Sequence, residues 1–177
     1  MNKLPLLFKH LWLDVSDTEH AIPPDMARRL AERVAASEQR HSGQIRICVE
    51  ASLPASYLWR LDREKNTLAS LIRQRAVMMF SKLRVWDTEH NNGVLVYLLL
   101  AEHAIEIVAD RGLMHHVDAA QWQAMVARMA SAFQDKRYED GLTQALEESS
   151  AVLVANFART GASGDHPNEL PDTPLLQ

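Results

Sequence analysis

Oxygen-bearing side chains crowd into one short stretch of this chain. Residues 87–93 read Asp-Thr-Glu-His-Asn-Asn-Gly, and Asp110-Arg111-Gly112 follows after two apolar runs. Carboxylate and amide oxygens at Asp87, Glu89 and Asn91 have the alternate spacing that a hard divalent ion favours. An EF-hand is excluded, because glycine falls at the seventh position and the twelfth is Leu98, inside an apolar run. The competing reading is local: Asp87 caps a turn and Asn92 supplies the backbone geometry before Gly93. Arg111 has the planar fork that holds a phosphate or carboxylate, or it pairs with Asp87.

Three segments must position these groups. Ile45, Ile47 and Val49 alternate with Arg46 and Cys48, which predicts a strand over 44–50. Val94-Leu-Val-Tyr-Leu-Leu-Leu100 is a continuous apolar run and reads as a strand buried on both faces. Ala104–Ala109 pairs with it across a tight connection at 101–103. Helices are expected over about 23–40, stopped by Gly43, and over about 66–83, from Asp118 to about Gln134, and from Tyr138 onward. Residues 14–22 read as a linker and 51–65 as a connection. Ahead of them, residues 1–13 form a short amphipathic helix, either docked on the domain or offered to a partner or a bilayer interface. The tail after Arg159 either frays or docks as an extended strap through Leu170, Leu175 and Leu176.

Strand–helix–strand order makes the first two strands parallel, and the short loop makes the third antiparallel to the second. The expected fold is α/β: a three-layer α/β/α sandwich with a small mixed sheet flanked by helices. The division is an N-terminal helix and linker at 1–22, an α/β domain at 23–157 and a tail at 158–177. With these strand directions, Glu38–Gly43, Trp86–Asn92 and Asp110–Gly112 meet at one sheet edge. Glu38, Asp87, Glu89, Asn92 and Asp110 are then the candidate ligands of a divalent cation, Ca²⁺ or Mg²⁺.

Other chemistries are poorly supported. The one cysteine, Cys48, rules out an intramolecular disulfide and a cysteine-cluster metal site, and fits a cytoplasmic location. A thiol phosphatase is excluded because Cys48 lies inside a strand and position 54 is proline. Arg40-His41-Ser42 precedes a strand, whereas a phosphohistidine phosphatase signature follows one. No nucleotide-binding glycine motif, HExxH or GxSxG occurs, so no organic cofactor and no catalytic residue is assigned. A net charge of −4 argues against a nucleic-acid partner. The apolar N-terminus is short and interrupted by Lys9 and His10, so no membrane span and no signal peptide are expected.

Taken together, Glu38 with Ser42-Gly43-Gln44-Ile45, Ala76 to Phe80, Asn91-Asn92-Gly93-Val94-Leu95, Ile105 with Ile107 and Val108, Arg111-Gly112-Leu113, and Phe133 with Tyr138-Glu-Asp-Gly141-Leu142 form a recognisable set. It resembles the TPM domain family, also called TPM-type phosphatases, and most closely its compact bacterial branch. The resemblance implies the three-layer fold, calcium binding, phosphatase activity in some members and assembly roles in others. Carried over by position, Glu38, Asp87, Asn92 and Asp110 are the site candidates. Two departures stand out: Ser42 occupies a position where members often have threonine, and Asp110-Arg111-Gly112 replaces a Gly-x-Gly. The expectation is an interaction or assembly module for a protein partner, with a divalent-cation site at the acidic edge. The alternative is a metal-assisted phosphomonoesterase.

Overall fold

The computed structural model describes residues 4–61, 66–159 and 168–177. A four-stranded sheet lies at its centre. Its strands are β1 (Ile45–Glu50), β2 (Val94–Leu99), β3 (Ala104–Ala109) and β4 (Leu175–Leu176), in the order β3-β2-β1-β4. β1 runs parallel to β2, with Ile45 opposite Val94, and β3 runs antiparallel to β2, with Ala109 opposite Val94.

Period-two side-chain alternation sorts the apolar residues onto two faces. Ile45, Ile47, Val49, Val94, Val96 and Leu98 share one core with α3 (Pro24–Glu38), α7 (Ala119–Gln134) and α8 (Tyr138–Phe157). Cys48, Leu95, Tyr97 and Leu99 face the other way, onto α5 (Leu68–Lys82) and the short α4 (Ala55–Leu58). The fold is thus α/β, with helices on both faces of a small mixed sheet.

Local chemistry explains most helix ends. Pro24 stands in the first turn of α3, and Leu30, Val34 and Ser37 follow at one-face spacing, all buried. Asp118 caps α7 by accepting from the Gln121 amide, while the Gln121 side chain accepts from the Asp118 N–H at 2.9 Å.

Three details depart from the sequence reading, and a fourth selects one of its two alternatives. Residues 14–22 are not a linker: α2 (Val15–Ala21) forms there, held by a reciprocal Asp14–Asp17 capping box. Gly43 does not stop α3, which ends at Glu38; it lies in the approach to β1. A short helix, α6 (Arg111–Met114), begins directly after β3, capped by Asp110. The tail from residue 168 docks as a strap. Leu170 is buried, the Gln177 N–H donates to the Val49 carbonyl at 3.0 Å, and Arg46 clasps the Pro171 and Thr173 carbonyls.

α1 (Leu4–Trp12) is docked through His10, whose Nδ1 accepts from the Leu53 amide at 3.0 Å and whose Nε2 donates to Glu102 at 3.1 Å. Its opposite face leaves Phe8, Leu11 and Trp12 exposed. Among the described residues no helix is long and apolar enough to cross a membrane.

Candidate functional site

The N-terminal ends of β1 and β2 and the C-terminal end of β3 lie together, and main-chain hydrogen bonds tie their flanking segments. The Val94 N–H donates to the Gln44 carbonyl at 2.8 Å, Asp110 N–H to Gly93 at 2.9 Å, and Gly112 N–H to Asn91 at 2.9 Å. Two glycines permit this approach. A Cβ on Gly93 would sit 2.0 Å from the Val85 carbonyl oxygen, and one on Gly112 would sit 2.5 Å from that of Asn91. Asn91 itself has φ 52, a left-handed geometry that asparagine tolerates.

Asn92 and Asp110 flank this junction and are both buried. Asn92 donates from Nδ2 to Ser42 Oγ at 3.2 Å, and its amide N–H donates to Thr88 Oγ1 at 3.1 Å. Asp110 accepts from the Arg111 N–H through Oδ1 at 2.7 Å. Each keeps one oxygen, Asn92 Oδ1 and Asp110 Oδ2, buried without a hydrogen-bond partner. Leaving such atoms unpaired costs about 1–3 kcal/mol apiece, more for a charged group.

Glu38, the last residue of α3, is buried and accepts the Ile45 N–H through Oε1 at 2.8 Å. Burial pushes its carboxyl up to about 7, against the opposing effect of that amide bond. Its oxygen therefore ties α3 to the first residue of β1. His41, fully buried, donates from Nδ1 to the Gly43 carbonyl at 3.0 Å and leaves Nε2 without a partner. Burial lowers its pKa to about 4, so at neutral pH Nε2 is a free lone pair.

Asp87 and Glu89 are placed differently. Both are exposed, and Asp87 pairs with Arg84, whose φ of 55 turns the loop there. The Glu89 amide donates to Glu169 of the strap at 2.9 Å. Arg111 does not pair with Asp87; it holds Asn91 Oδ1 through Nε at 2.9 Å and Nη2 at 2.6 Å. The five proposed ligands therefore divide into a buried trio and an outer pair. Among the described residues no group of three or more His, Cys, Asp and Glu side chains is arranged to hold a metal ion.

The strap adds residues that the sequence reading did not place here. Gln44 Oε1 accepts the Glu169 and Leu170 amides at 3.1 and 3.2 Å, and Glu169 and Asp172 both push the Glu38 carboxyl upward. The available signal was Leu170-Pro171, an apolar pair set between Glu169 and Asp172.

The donor chemistry suits a hard cation: one carboxylate oxygen and one amide oxygen, both desolvated and both unpaired. It does not suit a thiol nucleophile, because Cys48 is fully buried in β1 and burial pushes its thiol up to about 12.

Comparison with known proteins agrees with this architecture. The family model described as the TPM domain matches residues 15–152. The NMR structure of BA42 protein from the psychrophilic bacterium Bizionia argentinensis is similar with a TM-score of 0.65 and 22% identity. That likeness covers 84% of this chain and 90% of that one, and bears on fold alone. No curated protein matches this chain. With the family match spanning most of the sequence, from α2 through most of α8, the chain belongs to the TPM domain family.

Proposed function

We propose that this chain is a cytoplasmic interaction and assembly module whose acidic edge binds a divalent cation, Ca²⁺ or Mg²⁺, without an organic cofactor or nucleic-acid partner. The observation that carries the cation site is the pair of buried, unpartnered oxygens, Asn92 Oδ1 and Asp110 Oδ2. A cation there would offset their desolvation and neutralise the Asp110 charge. Glu38 supports the site by fixing the start of β1, and Asp87 and Glu89 act from the rim as screening charges. Ca²⁺ takes about 6–8 oxygens, so water or a partner's oxygens complete the set.

A titration tests this. Calcium that binds only the folded chain raises the melting temperature as its concentration passes Kd. Asp110→Asn keeps the helix cap while removing the charge, so its melting temperature should stop responding. No stabilisation of the wild-type chain at millimolar calcium sinks the cation reading.

A second reading, metal-assisted hydrolysis of phosphomonoesters, draws on Arg111. Its guanidinium is exposed beside Asp110 and bonded to the neutral Asn91 oxygen, so its charge remains available to an anion. In that reading Arg111 holds the phosphate, and the metal's contribution is to polarise a phosphate oxygen and activate water. Hydrolysis of p-nitrophenyl phosphate should then fall at least about tenfold in Arg111→Ala. Unchanged turnover places the activity elsewhere.

A further inference from the structure

The strap and the Asn92–Asp110 junction share one peptide group. The peptide joining Thr88 to Glu89 is planar, so its carbonyl and its N–H turn together. The carbonyl accepts the Asn91 N–H at 3.1 Å, and the N–H donates to Glu169 Oε2 at 2.9 Å, 80 positions along the chain. Thr88 is buried, and its Oγ1 accepts the Asn92 N–H at 3.1 Å. Turning this peptide therefore breaks the bond to Asn91 and moves the residue on which Asn92 rests.

Glu169 is itself held in place by β1. Its N–H and that of Leu170 donate to Gln44 Oε1 at 3.1 and 3.2 Å, while the Gln44 carbonyl accepts the Val94 N–H at 2.8 Å. Two residues before Gln44, Ser42 Oγ accepts from Asn92 Nδ2 at 3.2 Å. The contacts close a ring: Asn92 to Thr88, across the peptide to Glu169, on to Gln44, and back through Ser42 to Asn92. The unpartnered Asn92 Oδ1 stands on that ring. Other bonds of the loop differ in reach. The Asp87 N–H to Arg84 and the Asn91 N–H to Thr88 close within the loop, so they set its shape but not its place. Ser42 and Gly112 tie the inner end, at Asn91 and Asn92. Glu169 ties the outer part to the strap, which Arg46 and Gln177 fasten along β1. An oxygen held before the ion arrives binds it more tightly, because the ordering cost is not taken from the binding energy.

We infer that Glu169 is a positioning residue for the cation site: it holds the Thr88–Glu89 peptide that supports Asn92, so docking of the strap on β1 and binding of the cation strengthen one another. Lifting the strap lowers cation affinity, and a bound cation holds the strap down by the same factor. This rests on the divalent-cation reading of the Asn92–Asp110 junction.

Glu169 is exposed, so replacing it leaves the core intact. Calcium alone is titrated into the full chain as wild type, Glu169→Ala and Glu169→Gln, with affinity read by calorimetry and amide exchange followed at Gln177. Glu169→Ala should weaken calcium binding at least about fivefold. Glu169→Gln keeps an oxygen acceptor for the Glu89 N–H and should restore most of the affinity. Saturating calcium should slow exchange of the Gln177 N–H, which donates to Val49 across the β1 edge, and should not do so in Glu169→Ala. A merely structural role would speed exchange with and without calcium and would not remove calcium's effect. Unchanged affinity in Glu169→Ala overturns the inference while the cation site stands. An equal loss in Glu169→Gln overturns it in favour of a charge effect, and calcium-dependent slowing at Gln177 that persists in Glu169→Ala overturns it as well. No calcium binding by the wild-type chain sinks the cation reading and this inference together.

Discussion

Two buried polar clusters sit at opposite ends of the same parallel strand pair. At the C-terminal end of β1, Arg75 grips Glu50 with Nε at 3.1 and 2.8 Å from the two carboxylate oxygens, and Tyr97 donates to the same carboxylate at 2.5 Å. Burial and the Glu50 charge both push the Tyr97 phenol up, so it remains a donor at any ordinary pH. The Arg75 guanidinium also lies 5.5 Å from the Tyr57 ring centre. At the N-terminal end, Asn92 and Asp110 each keep an oxygen that nothing meets. The first cluster is closed on itself and accounts for its own burial. The second is incomplete, and an incomplete desolvated cluster is where a ligand gains most. Partner accounting, rather than depth or charge, is what separates the two clusters.

Breaking the closed cluster should produce the largest effect. Glu50→Ala strands a buried guanidinium and should cost about 3–5 kcal/mol by urea denaturation. Replacing Glu50 and Arg75 together with leucine and methionine should cost far less. If both variants cost the same, the network is not a paired unit.

Glu38 gives the next effect, through pH. Its folded pKa lies near 7, above the ordinary 4.5, so its contribution is full below 4.5 and is lost as pH rises through 7. Glu38→Gln keeps an acceptor for the Ile45 N–H but does not titrate. The variant should gain up to about 3 kcal/mol relative to wild type between about pH 4 and about pH 8. His41 runs the other way: with a folded pKa near 4 against 6.5, its contribution is present above 6.5 and lost as pH falls through 4. The two therefore offset each other in the mildly acidic range, and a Glu38→Gln profile parallel to wild type would remove Glu38 from the buried cluster. The smallest effect belongs to Asp87→Ala, which deletes an exposed pair with Arg84. It should change stability by less than about 1 kcal/mol and leave the calcium response in place. A lost response would move the cation from the buried pair to the rim.

The elements were legible where a period was long enough to read. Val94–Leu99 and the α7 stripe of Trp122, Met125, Val126, Met129 and Phe133 carry their own geometry. Residues 14–22 were not legible, because α2 is polar and depends on one capping box and a buried Thr18 rather than on a stripe. For the site, strand direction brought Glu38, Asn92 and Asp110 to one junction. Asp87 and Glu89 stand exposed, in a loop that follows a left-handed residue at Arg84, and linear order does not reveal that exposure. The Glu50–Arg75–Tyr97 network carried an unused signal: Arg75 occupies an inward position among Leu71, Ile72, Ala76 and Met79. A charge on the buried side of a helix demands a partner across the interface.

The strap has a kinetic consequence. Arg46 and the Thr173 carbonyl it clasps lie 127 positions apart along the chain, whereas β2 and β3 are joined by a tight turn. Closing so long a loop is entropically costly, and a strand of two half-buried residues recovers little of that cost. The hairpin is therefore expected to form before the strap seals the β1 edge, an order that pulse-labelled amide exchange at Gln177 against Leu98 would read. Opening of the same strap would release Glu169 from the Glu89 amide, in the loop that carries the acidic edge.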